Sequence, residues 1–189
     1  MRRVNQFVLI CSFVGFSWLA MQAVHEFGHV LGAWATGGKV VKVVLSPVVF
    51  SRTEVAPNPH PLTVVWAGPL IGCLLPIFAL LIAKAARCPA IYLFRFFAGF
   101  CFVANGVYIA GGSFLKGADP GDMLQFGSPQ WSVILCGLVA FSIGLFLWHR
   151  QGVHFGFAGS QGKVHPMATV TSLASLTLLV LAELICSSR

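Results

Sequence analysis

Charge is what this sequence has least of. Of 189 residues, 9% are Asp, Glu, Lys or Arg, and only five are acidic. Ordinary soluble domains carry roughly 25% charged residues, so this surface cannot face water on all sides. Polar stretches long enough for a separate soluble domain are missing too. No CxxC pair occurs among the six cysteines, and most of them lie in apolar runs. That argues against a thiolate zinc site or a disulfide framework. The formal charge is +7, yet no basic run interleaves with aromatics, and nucleic acid is not an expected partner. The basic residues fall between apolar segments, as in loops that meet lipid headgroups. No internal repeat supports an inverted-repeat transporter.

What the chain has in excess is hydrocarbon: 57% of residues are hydrophobic and the mean hydropathy is +0.86. Five runs read as transmembrane helices, at about 5–35, 62–83, 90–114, 131–148 and 167–185. The expected fold is an all-α polytopic membrane protein, one domain over 1–189, with the lipid bilayer as its surroundings. Arg2 and Arg3 before an apolar run imitate a signal peptide. Cleavage near Ala23 would leave His25 at a frayed terminus, and apolar character continues to Trp34, so an uncleaved first helix is expected.

After Gly37 and Gly38 comes "KVVKVVLSPVVFSRTEV". Its Val-rich runs, split by Ser46-Pro47, read as two short strands or a β-hairpin. A strand edge cannot lie open in lipid, so this insert belongs at the interface or in a protein-lined cavity.

The chemistry is concentrated in "AVHEFGHVLGAW" at 23–34. His25-Glu26-Phe27-Gly28-His29 is an HExxH motif on an expected helix. The i, i+4 spacing puts both imidazoles on one face, one turn apart, where they can share a metal ion. One Zn²⁺ suits neutral imidazole, and Glu26 then stands beside the activated water as general base. Ionisable residues inside membrane helices are expensive and mark function.

A third ligand has to come from elsewhere. HExxHxxGxxH fails, because Gly32 fits but position 35 is Ala35, and a downstream zincin-type Glu is offered only by Glu54 and Glu183. Glu183, near the end of the fifth helix, reads as snorkelling to the interface. Asp119 and Asp122 are better placed, since five spans put their loop on the same side as the end of the first helix. Asp119 before Pro120 reads as an N-cap with Pro at N1 and Asp122 at N3. One aspartate can cap while the other binds metal. Asp119 is favoured because a turn residue can point back toward the first helix.

HEFGH in a membrane helix, a strand-like insert and "WAGPLIG" opening the next helix resemble the site-2 protease family of intramembrane zinc metalloproteases, in compact bacterial form. The resemblance spans about 16–125. It matches the family's Gly-x-x-x-(Asn, Ser or Gly) element with Gly68 and Gly72, and its distal Asn-to-Asp-Gly segment with Asn105 and either Asp119 or Asp122. The departure is the distal motif, where the family's proline-rich run before Leu-Asp-Gly is missing. The resemblance implies peptide-bond hydrolysis in or near transmembrane segments, with Gly68, Gly72 and Asn105 at the substrate. It also implies a membrane-protein substrate, a bacterial inner membrane, and room for a regulatory membrane protein or a homo-oligomer. A metal-binding regulator of the same fold without proteolysis is the alternative.

Overall fold

The computed structural model describes residues 2–115 and 117–187. Its elements are α1 (Arg2–Ala35), β1 (Val40–Val44), β2 (Arg52–Val55), α2 (Pro61–Ala85), α3 (Ile91–Gly112), α4 (Ala118–Gln125), α5 (Gln130–Trp148) and α6 (Pro166–Ser187). Two short 3₁₀ turns, Gln151–Phe155 and Ala158–Ser160, join the last two helices. Five helices (α1, α2, α3, α5 and α6) are long and apolar enough to cross a membrane, in register with the five expected spans. The chain is a multi-pass membrane protein, and these helices expose many Leu, Val and Phe side chains, as a surface facing lipid requires.

At 34 residues, α1 is about 51 Å long, well beyond the ~30 Å hydrocarbon core. It ends in a Schellman closure: Gly37 takes φ of 75°, and the Gly38 amide donates to the Ala33 carbonyl at 2.8 Å. The chain thereby reverses and runs back alongside α1. Pro61 opens α2, while Pro69 and Pro76 sit inside it, which a membrane helix tolerates.

The insert is an antiparallel hairpin, but its second strand differs from the expected one. Val43 pairs with Thr53 and Val44 with Arg52, so the second strand is Arg52–Val55. Val48, Val49 and Phe50 form the exposed connection instead. Side-chain bonds from Ser51 and Thr53 to α1 fix the register, and an apolar run without such anchors is left at the tip.

The bundle packs α1 between α2 and α6, and α3 between α2 and α5. Along α3 and α5 the backbones nearly touch: a Cβ on Gly144 would stand 2.7 Å from the Val103 amide nitrogen. Close approach through small residues is how membrane helices gain van der Waals contact. Glu183 does not snorkel. It is 4% exposed, on the same face of α6 as buried Ala168, Thr169 and Ser172, and that face packs on α1.

Two apolar clusters set the frame. Leu9, Phe13, Leu93, Phe155 and Ala168 close one end, with the Phe13, Phe96 and Phe155 rings in contact. Val65, Ile109, Met123 and Val133 close the other. The second cluster matters more for the site. Met123, fully buried, pins the short α4 against α2, α3 and α5, and this aims the start of α4 at α1.

Candidate metal centre

His25, Glu26 and His29 are all buried on α1, with 7%, 4% and 6% exposure. The imidazoles lie edge to face with ring centroids 4.9 Å apart, as i, i+4 spacing dictates. Each ring is fixed from behind. Asn105 donates its Nδ2 hydrogen to the Cys101 carbonyl at 2.9 Å, which leaves its Oδ1 to accept from His25 Nδ1 at 2.7 Å. His29 Nδ1 donates to the Val64 carbonyl on α2 at 2.8 Å. Both rings therefore present Nε2 to the same space.

Asp119 meets them there. Its Oδ2 lies 2.8 Å from His25 Nε2 and 3.2 Å from His29 Nε2. Among the described residues, His25, His29 and Asp119 form the one group of three ligand atoms within 4.8 Å of one another. With the Nδ1 hydrogens committed to Asn105 and Val64, two imidazole lone pairs and a carboxylate oxygen converge. Acceptors this close repel unless a cation or protons lie between them. The donor set, two imidazoles and one carboxylate with carbonyl or amide partners behind the rings, fits zinc with an open position. Burial pushes the Asp119 carboxyl up, but where Nε2 protons take the place of a metal, hydrogen bonds from His25 and His29 outweigh it and hold the group below the usual carboxylate range.

Local structure explains why Asp119 arrives there, and it corrects the capping expectation. The N-cap of α4 is Gly117, with φ of 84° and no side-chain cap, and Asp119 lies inside the helix. Ala118 also adopts positive φ, 60°. A left-handed alanine costs about 1–2 kcal/mol, and here that turn delivers the carboxylate to the histidines. The Asp119 amide donates to the Tyr108 hydroxyl at 3.2 Å. Asp122 stands outside the three-residue group, and partial burial together with the Asp119 charge raises its carboxyl.

The glycines differ in role. A Cβ on Gly68 would strike His29 Cε1 and Nε2 and come within 2.9 Å of His25 Nε2. One on Gly72 would lie 3.0 Å from Asn105 Nδ2. Gly68 thus makes room for the imidazoles and Gly72 for the amide behind them. Asn105, 1% exposed, is spent on His25.

A cavity of about 1050 Å³ opens from this centre. Trp18, Met21, Phe50, Val103, Val107 and Phe126 give it apolar walls, and Glu26, Asn105 and Asp119 reach into it. Sequence reading missed Ser51 and Thr53, whose hydroxyls bond Glu26, Gln22, which accepts from the Ser51 amide, and Tyr108, whose hydroxyl accepts from the Asp119 amide. Only the hydroxyl alternation in "SRT" hinted at the first two, and nothing in one dimension ties them to α1.

A buried HExxH joined to a distant aspartate, beside an apolar cavity in a bundle of membrane helices, defines a peptidase-type membrane protein. Residues 4–115 match the family described as Peptidase M50B-like, and the chain belongs to that family, a branch of the site-2 proteases. The matched span carries both histidines, the hairpin, α2 and α3, and it stops before Asp119. Comparison with curated proteins and with solved structures found no match.

Proposed function

We propose that the chain is an intramembrane zinc metalloprotease that cuts peptide bonds in or near transmembrane segments of other membrane proteins. The observation that carries this reading is the convergence of His25 Nε2, His29 Nε2 and Asp119 Oδ2 with Glu26 next in sequence to a ligand. His25, His29 and Asp119 would hold one ion, and Asp122 would not. Zinc held there supplies Lewis acidity, which activates water and polarises a carbonyl. Glu26 would take one proton from the attacking water as that oxygen bonds to the scissile carbon. Glu26 then passes the proton to the departing nitrogen as the C–N bond breaks.

The cavity supports an apolar, extended substrate. A helical substrate must first unwind, because its carbonyls are bonded internally. β1 is mostly exposed and, among the described residues, pairs on one side only, so its other edge suits a substrate strand added by β-augmentation. Such pairing would also satisfy a strand edge that lipid cannot.

The deciding test is Glu26→Gln in purified protein, with zinc content and peptide cleavage measured together. Retained zinc with cleavage lowered at least 100-fold is expected, the usual reach of a general base. Zinc bound with undiminished cleavage would refute the mechanism. Zinc bound by a wild-type chain that cleaves no membrane substrate would favour a metal-binding regulator.

A further inference from the structure

The carboxylate on which this chemistry turns is held by the hairpin. Ser51 Oγ donates to Glu26 Oε1 at 2.7 Å, and Thr53 Oγ1 donates to Glu26 Oε2 at 2.7 Å. One turn earlier on α1, Gln22 Oε1 accepts from the Ser51 amide at 3.2 Å. Three polar ties therefore fasten residues 51–53 to one turn of the helix. Bonds to a charged acceptor are the stronger kind, and one donor on each oxygen fixes both the position and the plane of the carboxylate. An ionised carboxylate has about four lone-pair sites, so each oxygen keeps one for a proton.

Resting on the metalloprotease reading, we propose that Ser51 and Thr53 are positioning residues that aim Glu26 at the attacking water, so that seating of the hairpin sets the alignment of the base. The register gives this a route from the substrate. Thr53 pairs directly with Val43 of β1, the strand whose other edge is open. A substrate strand laid on β1 is then two strands from Glu26, with the Val43–Thr53 pair between them. Occupancy of the edge stiffens the hairpin, and the hairpin stiffens the base.

The test uses the full chain in phosphatidylcholine vesicles with a quenched-fluorescent Leu-Ala transmembrane peptide loosened by a central Gly-Gly. Ser51→Ala/Thr53→Ala should lower kcat at least tenfold, leave KM within twofold and keep the zinc content of wild type. Ser51→Thr and Thr53→Ser, which keep the donors, should recover most of that loss. Hydrogen exchange of residues 46–55 adds a readout independent of cleavage: it should quicken at least fivefold in Ser51→Ala/Thr53→Ala and equally in Glu26→Ala. A double variant with kcat within twofold of wild type, with lost zinc, or with unchanged exchange overturns the proposal. Wild type and Glu26→Gln both failing to cut the peptide would overturn the metalloprotease reading and the positioning role together. Cleavage by wild type, none by Glu26→Gln and full cleavage by the double alanine variant would overturn the positioning role alone.

Discussion

Adding one methyl group at Gly68 should empty the metal centre. The Cβ of Gly68→Ala would stand 2.9 Å from His25 Nε2 and nearer still to Cε1 and Nε2 of His29. Ordinary contact begins near 3.4 Å, so His25 has to retreat about 0.5 Å and His29 further. Neither ring is free to do so. His25 is tied to Asn105 at 2.7 Å, and His29 to the α2 carbonyl of Val64 at 2.8 Å, four residues before Gly68 itself. Metal–ligand distances tolerate deviations of only about 0.2 Å. The expected loss in zinc affinity is thus at least as large as for removing a supporting partner, roughly 10–100-fold. Overpacking will also lower stability, typically by about 1–3 kcal/mol. Gly99→Ala separates the two effects, because its Cβ meets Trp148 Cδ1 at 2.5 Å on the α3–α5 seam. The assay is zinc retention against a graded chelator, with a thermal melt of each variant in detergent. Both variants should melt earlier, and only Gly68→Ala should release zinc. Wild-type zinc affinity in Gly68→Ala, or equal loss in Gly99→Ala, would refute the reasoning.

The other expectations concern the same corner of the molecule. Asp119→Asn should lose zinc as His25→Ala and His29→Ala do, whereas Asp122→Asn keeps it; elemental analysis of purified protein decides between them. Asn105→Leu removes the acceptor behind His25 Nδ1 and should weaken zinc about 10–100-fold while the bundle still folds, read by chelator competition alongside circular dichroism. Proline at Val41 or Val43 should slow cleavage if substrate pairs with β1, and unchanged rates in the vesicle assay would rule that pairing out. In metal-stripped protein the depressed Asp119 carboxyl contributes stability above the ordinary carboxyl range and loses it only as the pH falls well below. Exchange protection of residues 117–126 should therefore persist at pH 5, and Asp119→Asn should remove it at pH 7.

The membrane architecture was legible because its signal is local. Twenty-odd apolar residues in a row need no partner to declare a span, and each of the five spans appears within a few residues of its expected place. The HExxH pair was legible for the same reason, since helical spacing alone puts His25 above His29. The second strand was not. A Val-rich run has the right propensity, but Arg52–Val55 forms the strand, with the hydroxyls of Thr53 inside it and Ser51 just before it reaching Glu26. Propensity in a strand measures fit to surroundings, and the surroundings here are a helix about 25 residues away in the chain.

Composition and periodicity by themselves pointed to five helices long and apolar enough to cross a membrane, which the described residues form, and to two imidazoles and a carboxylic acid on one turn of the first. They left two aspartates three residues apart as candidates for the third place, with Asp119 favoured only because it sits at a turn. Tertiary structure brings only Asp119 of the two, among the described residues, beside the histidines, through the burial of Met123 among Val65, Ile109 and Val133 and the left-handed turn at Gly117 and Ala118. Those contacts orient α4 so that Asp119 faces α1. The roles of Gly68, Asn105 and Ser51 were invisible for a related reason. Each depends on where an atom from a distant part of the chain is placed within a few ångströms, which packing alone decides.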